Sequence, residues 1–222
     1  MLSVVLFSVA LHATEVQKHG LSFEHWVADT FFGGYRASVP TDKWDIPASA
    51  NKDHGNVPVN PKATAYGQSV GLGDALRQYD IDEPFLLVIG FWEQDGENKK
   101  FVKSLTALIT PERWRKLWLP VTRDRLEELD RLVKDTSRPI VDVRKEALLI
   151  KKQPPFSEAV IQVNPKIDKS QRRLQCSISY ARLFEHLARG TDPGREQQPE
   201  VFGIPIPVIQ ESPKRDLPGG SR

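Results

Sequence analysis

Three side chains in the first third of the chain could together hydrolyse a phosphodiester bond: Glu24, Asp45 and Lys62. Carboxylates bind Mg²⁺, and the bound metal polarises a phosphate and lowers the pKa of a coordinated water. A lysine beside the metal can position that water or stabilise the charge that develops. The sequence therefore predicts metal-assisted phosphodiester chemistry, provided that the fold brings these side chains together.

Helical and strand-like patterns predict the elements that would position these residues. Apolar residues recur at helical spacing over 15–32, which places Glu24 on a first helix. Asp45 falls in a short strand-like segment, and Lys62 falls in the next one. If these two strands pair as a hairpin, the carboxylate and the ammonium can converge. Asn60 and Lys62 are two residues apart in one strand, so they would share a face.

The remaining patterns predict a mixed fold around these elements. The apolar run at 85–92 is continuous, which favours a strand buried on both faces. Thr110 and Pro111 are typical of a helix start, as cap and first helical residue. Other predicted elements are a helix at 71–79, a strand at 100–108, an amphipathic helix at 123–133, a hairpin of 160–163 with 174–178, and a helix at 180–189. The predicted fold class is α/β (α+β): a mixed central sheet flanked by helices, with C-terminal helices and a β-hairpin.

The composition is that of an ordinary globular protein, with 222 residues of which 39% are hydrophobic and 27% charged. The single cysteine, Cys176, excludes an intramolecular disulfide and a cysteine-based zinc site. The five histidines include no pair at the i, i+4 spacing of a helical metal site. Residues 1–100 hold 8 Lys and Arg against 13 Asp and Glu, whereas residues 101–222 hold 23 against 16. This asymmetry suits a protein that binds cations at one place and phosphates at another, although many proteins that do neither share it.

Both ends of the chain are predicted to lie outside a single domain at 14–190, whose core spans about 15–110. Residues 1–13 are apolar but too short to span a bilayer, which needs roughly 20 apolar residues. They fit a secretion signal, a buried first strand or helix, or a start codon assigned too far upstream. The last two interpretations are favoured because the chain has no paired cysteines, so the expected location is cytoplasmic and secretion is the alternative. Residues 191–222 are rich in Pro and Gly and are predicted to form a tail with a disordered end.

The order of these elements resembles the PD-(D/E)xK nuclease superfamily, which includes most type II restriction endonucleases and several repair nucleases. The matching motifs are Trp-Asp-Ile-Pro around Asp45 and Val-Asn-Pro-Lys-Ala-Thr around Lys62, preceded by the helix that carries Glu24. The likeness covers roughly residues 15–95. It implies a restriction-endonuclease-like core, Mg²⁺ as the cofactor, and Asp45, Lys62 and Glu24 as the catalytic residues.

This chain departs from the family pattern around the lysine. Asn60 stands where the family has Asp or Glu, and an amide oxygen can ligate a metal without bringing charge. Some restriction endonucleases of this family displace the acid onto the next helix, and by that resemblance Asp74 is the expected substitute ligand. The expected metal ligands are therefore Asp45, Asp74 and Asn60, with Glu93 in reserve. Pro61 lacks a ladder donor, so its strand should be an edge or carry a bulge.

Polar and basic side chains outside this group are candidates for contacting double-stranded DNA. Arg77 and Gln78 on the predicted helix at 71–79 could read guanine and adenine edges, or they could be ordinary solvated residues. A basic cluster in the predicted hairpin could contact phosphates, or it could be only a charged loop. The members of this cluster are Lys166, Lys169, Arg172 and Arg173.

These residues lead to one favoured function and two alternatives. The favoured function is a Mg²⁺-dependent, sequence-specific endonuclease on double-stranded DNA, similar to type II restriction enzymes. A homodimer is expected by analogy, because two active sites must face the two strands of a palindrome. The second is a non-catalytic DNA-binding protein on a degenerate nuclease scaffold, which Asn60 favours. The third is a secreted protein of unknown role, which rests only on residues 1–13. No membrane partner is expected.

Overall fold

A computed structural model of the chain describes residues 22–37, 43–96 and 98–210. The helices in these ranges are α1 (22–31), α2 (Ala75–Tyr79), α3 (Pro111–Lys116), α4 (Arg123–Lys134), α5 (Ile140–Ile150) and α6 (Tyr180–Leu187). The strands are β1 (Val59–Ala65), β2 (Val70–Asp74), β3 (Phe85–Asp95), β4 (Asn98–Ile109), β5 (Gln162–Ile167), β6 (Arg172–Ile178), β7 (Glu200–Val201), β8 (Ile204–Pro205) and β9 (Ile209–Gln210). The predictions for residues 1–13 and for the end of the tail at 212–222 fall outside the described ranges.

The main sheet has the strand order β1-β3-β4-β9 and is mixed, since β1 runs parallel to β3 while the other neighbours are antiparallel. A second sheet, β2-β6-β5, is antiparallel and contains the predicted hairpin as β5 and β6. The prediction of a mixed α/β fold with a mixed sheet and a hairpin is confirmed. The second sheet was not predicted, because it depends on the distant pairing of β2 with β6.

Strand β3 is buried on both faces, as its continuous apolar sequence predicts. Leu87 and Ile89 face the larger core, which also contains residues of α2 to α6 and of the second sheet. Leu86 and Val88 face a smaller core, to which α1 contributes Phe23. The helices therefore lie on both sides of the main sheet. Among the described residues, no helix has the length and apolar character needed to cross a lipid bilayer.

Helix α3 begins where the sequence predicts. The Thr110 side chain accepts a hydrogen bond from the Arg113 backbone N–H, and Pro111 occupies the first turn. The predicted helix at 71–79, in contrast, is wrong over its first residues. Gly73 has a φ of +97° at a bulge in β2, a conformation that a helix does not contain, so α2 begins only after Asp74.

Residues 191–210 are part of the fold, which corrects the prediction of a tail for that part of the chain. Val201 is fully buried in the smaller core, and β9 extends the main sheet beside β4. The Glu196 carboxylate forms an ion pair with Lys103, a buried lysine of β4. The prediction failed because the prolines and glycines of this segment mark turns between short packed pieces, which have no periodic pattern.

Candidate active site

The strand that carries Lys62 lies at an edge of the main sheet, as Pro61 requires. Ile46 and Val59 form an isolated antiparallel bridge on its open side. The Ile46 N–H donates to the Val59 carbonyl at 3.1 Å, and the Val59 N–H donates back at 2.8 Å. The segment around Asp45 is therefore not the strand that the sequence predicts. It is nevertheless held antiparallel to β1, as a hairpin partner would be.

Lys62 connects the two predicted acids. Its Nζ atom donates to Oδ2 of Asp45 at 2.6 Å and lies 3.9 Å from Oε1 of Glu24. It also donates to the carbonyl of Pro61 at 2.9 Å. The side chains of Lys62, Glu24 and Asp45 are 17%, 30% and 42% exposed, so all three are partly shielded and still accessible to solvent. The structure thus brings together the three residues predicted to be catalytic.

The surroundings of Glu24 raise the pKa of its carboxyl group. Its pKa is raised from the ordinary value of 4.5 to about 7, mainly by burial; the Lys62 ammonium lowers this pKa, and the nearby Asp45 carboxylate makes a smaller contribution that raises it. A carboxyl group with a pKa near 7 can both hold and release a proton at neutral pH, as a general acid or base must. Its proton must leave before it can ligate a metal ion, so metal binding at this position would be favoured by rising pH.

A supporting group of residues holds the Asp45 segment in place. Lys43 forms ion pairs of 2.9 Å with Asp82 and with Glu83, and the Trp44 indole N–H donates to Glu83 at 2.8 Å. These two acids stand directly before the buried strand β3, so they tie the Asp45 segment to the centre of the sheet. The sequence does not predict either acid as a site residue. Their only signal is an acidic pair at the entrance to a buried strand, which is common on protein surfaces.

Asn60 and Asp74 occupy different surroundings. Asn60 is 4% exposed and lies two residues before Lys62 on the same face of β1. Asp74 is the N-cap of α2, where it accepts a hydrogen bond from the Arg77 N–H at 2.9 Å. Within the described ranges, no group of three or more Asp, Glu, His or Cys side chains could hold a metal ion. The structure therefore does not add Asp74 as a third carboxylate to Glu24 and Asp45.

Glu93, the reserve metal ligand, forms an ion pair with Arg195. Both Nε and Nη2 of Arg195 donate to its Oε1 atom, at 2.9 and 2.5 Å. The same guanidinium lies over the ring of Tyr66, at 4.4 Å from the centroid. Glu93 thus anchors the segment that follows α6.

Of the two residues predicted to read DNA bases, Gln78 is buried and Arg77 is partly exposed. Gln78 is 4% exposed, and its backbone carbonyl accepts a hydrogen bond of 2.7 Å from the Trp114 indole. The prediction that Gln78 faces DNA is therefore wrong for this structure. A helix of five residues is too short for an apolar stripe to show which face is buried. Arg77 is only partly buried and lines an open cleft of about 370 Å³ together with Lys43, Asp80 and Asp82.

Three of the four predicted phosphate-contacting residues of the hairpin are exposed: Lys166, Lys169 and Arg173. Lys166 and Arg173 are directly opposite each other in the β5–β6 register. Arg172 is less exposed and donates to the backbone carbonyl of Asp135, just after α4. It contributes to joining the hairpin to that helix, whereas the other three present positive charge to solvent.

The candidate active site therefore consists of two carboxylates and one ammonium on three different segments, with a basic hairpin elsewhere on the chain. Glu24 comes from α1, Asp45 from the bridged segment, and Lys62 from the edge strand. Comparison of the chain with protein-family models, with curated proteins and with solved structures finds no match.

Proposed function

We propose that this protein is a Mg²⁺-dependent endonuclease that hydrolyses phosphodiester bonds in DNA, with a restriction-endonuclease-like core. One observation carries the proposal: the Lys62 ammonium contacts Asp45 at 2.6 Å and lies 3.9 Å from Glu24. These residues come from three separate segments, in the order that the PD-(D/E)xK resemblance requires. An ion pair of two residues is common on protein surfaces, whereas these three side chains are the ones that the sequence predicts to act together.

The donor atoms of the site fit Mg²⁺. This ion prefers oxygen ligands and is usually held by one or two carboxylates, with water and substrate phosphate completing its shell. Asp45 supplies one such carboxylate, while Glu24, on the other side of the shared Lys62 ammonium, remains available as a proton acceptor. Asn60 could add an amide oxygen, and Asp74 stays a predicted ligand that would have to leave its helix cap. When bound, the ion would polarise the scissile phosphate.

The three side chains have separable roles in this proposal. Lys62 places a positive charge where negative charge develops on the phosphate during in-line displacement. Glu24, with a pKa of about 7, accepts a proton from the attacking water at its carboxylate. Asp45 orients the Lys62 ammonium through their hydrogen bond. By the family resemblance, the product would carry a 5′-phosphate.

The proposed substrate follows from the family resemblance and from the charge distribution. The exposed residues Lys166, Lys169 and Arg173 form a basic surface, and contacts of this type position a duplex through its phosphates. Homodimerisation and sequence specificity, as in type II restriction enzymes, are part of the proposal by analogy.

A non-catalytic DNA-binding protein is the second candidate. The observation that favours it is the buried amide of Asn60, which stands where the family has an acid. In that case the Asp45–Lys62 pair would be a structural ion pair. DNA binding without cleavage in Mg²⁺ or Mn²⁺ would select this candidate.

The two candidates are separated by assaying purified protein on plasmid DNA with Mg²⁺. Wild type should produce discrete fragments, whereas Asp45→Asn and Lys62→Gln should lower the cleavage rate by at least about 100-fold, since each removes a charge at the reacting phosphate. Asp95→Asn and Lys100→Gln are matched controls, because they change exposed residues of the β3–β4 hairpin in the same way. Equal cleavage by all five proteins would show that another site or a contaminant is responsible.

A further inference from the structure

We propose that a cavity between the end of α5, the segment before β5, and α6 binds one phosphate group of the DNA backbone. The cavity has a volume of about 180 Å³, several times the roughly 30 Å³ that one water occupies. Its polar lining comes from Lys151, Arg182, Ser157 and Gln162, with no carboxylate among the lining residues. Two cations and two hydrogen-bonding side chains form a lining that suits an anion.

Lys151 carries a positive charge in this cavity, and no ion pair joins it to an acid within the described part of the chain. Its Nζ atom donates to Oδ1 of Asn164 at 3.1 Å, and this acceptor is neutral. Burial lowers the pKa of Lys151, and the charges of Lys166 and Lys152 lower it further. A partly buried cation among other cations is unfavourable alone, and a bound anion would relieve both the repulsion and the lost hydration.

Arg182 is held in place at this cavity by a hydrogen bond. Its Nη1 atom donates to the backbone carbonyl of Ala159 at 2.5 Å, which holds the guanidinium against the cavity wall. A guanidinium has five N–H donors, and this hydrogen bond uses one of them. A phosphate in the cavity could accept from other N–H groups of this side chain, and because the side chain is already restrained, the entropic cost of binding is lower.

The cavity and the basic hairpin share strand β5. Gln162 is both a lining residue and the first residue of β5, and Lys166 lies four residues further along that strand. Asn164, between them, binds Lys151 and also donates to Ser177 Oγ of β6 at 2.8 Å. A duplex on the exposed face of the hairpin would thus have a backbone phosphate within reach of the cavity. This step rests on the proposed DNA substrate, while the cavity itself could also accept free phosphate.

The first test measures binding of a fluorescent 20-bp duplex by anisotropy over a range of salt concentrations, with Ca²⁺ in place of Mg²⁺. Lys151→Gln should weaken binding about 3- to 10-fold and reduce the slope of log K against log salt by about one, as the loss of one phosphate contact predicts. Lys100→Gln, an exposed lysine outside the cavity, is the matched control and should change neither value. An unchanged affinity and slope in Lys151→Gln would overturn the assignment to a backbone phosphate.

The second test uses inorganic phosphate and the side-chain Nε–H NMR signal of Arg182. Titration should shift this signal saturably in wild type and not in Ser157→Glu, in which an exposed residue would place a competing carboxylate at the cavity. This variant changes no buried contact, so a folding defect does not obscure the result. A response to phosphate without DNA binding would identify free phosphate as the ligand and overturn the DNA part. No response to either ligand would overturn the whole proposal.

These binding tests can succeed or fail separately from the cleavage assay. If Lys151→Gln weakens duplex binding while wild type cuts no DNA, the cavity assignment stands and the proposed hydrolysis fails. If wild type cuts DNA and Lys151→Gln binds it as wild type does, the hydrolysis stands and the cavity assignment fails.

Discussion

Replacement of Glu24 by Gln should stabilise the protein at alkaline pH although it removes a proposed catalytic group. Burial raises the pKa of Glu24 to about 7, so the folded protein retains a proton that the unfolded chain loses near pH 4.5. Between these two values the folded state binds more protons, and stability therefore falls as pH rises through this window. Glutamine has nearly the same shape as the protonated acid and cannot ionise, so the variant avoids this loss.

The size of the effect follows from the difference between the two pKa values. A change from 4.5 to about 7 corresponds to an upper limit of about 3 kcal/mol at pH 8.5. Because the side chain is 30% exposed, water screens part of the penalty, and we expect roughly 1–3 kcal/mol. At pH 5 the same calculation leaves less than about 1 kcal/mol, since the unfolded chain is then only partly ionised.

Urea unfolding of wild type and Glu24→Gln at pH 5, 7 and 8.5 measures this difference. Glu83→Gln is the matched control with the opposite sign, because hydrogen bonds from Lys43 and Trp44 lower the pKa of Glu83. Its ionised form stabilises the folded state above its unfolded pKa, so this variant should be less stable than wild type at pH 8.5. If Glu24→Gln were destabilising at pH 8.5, or if its effect did not change with pH, the assignment of a buried and protonated Glu24 would be refuted.

Two further substitutions test the core around the site. Gly90→Ala should destabilise the protein by roughly 1–3 kcal/mol in urea unfolding, because a Cβ atom would lie 2.5 Å from the Phe101 ring and 2.7 Å from the Phe23 ring. Unchanged stability would show that the packing of α1 on the sheet is looser than described. Gln78→Leu should stabilise by about 1 kcal/mol in the same assay, because the Gln78 Oε1 atom is buried without a hydrogen-bond partner among the described residues. Its DNA affinity should equal that of wild type, and a reduced affinity would contradict the burial of this residue.

The candidate site could be predicted from the sequence because it depends on the order of elements. An amphipathic helix with Glu24 and a continuous apolar strand at 85–92 are strong local signals. Given those elements, a bridged segment with Asp45 beside the strand of Lys62 is one of few arrangements that cover a sheet edge. Pro61 also indicated correctly that this strand lies at an edge.

The remaining contacts could not be predicted because they depend on tertiary packing. Gln78 is buried in a place where its backbone carbonyl accepts a hydrogen bond from Trp114, which lies 36 residues further along the chain. Asp74 could serve equally as a metal ligand or as a helix cap by its residue type, and the structure uses it as a cap. The ion pair of Glu196 with Lys103 spans 93 residues, and neither partner has a local pattern that predicts it.

The smaller core has a consequence for biosynthesis. Phe23 of α1 shares this core with Val201, and Phe31 and Phe32 pack against Phe202. Translation proceeds from the amino end, so the ribosome releases Val201 and Phe202 after the strand residues Leu86, Val88 and Phe101 that also pack in this core. Glu24 therefore cannot reach its final position beside Lys62 with α1 fully packed until almost all of the described chain has emerged.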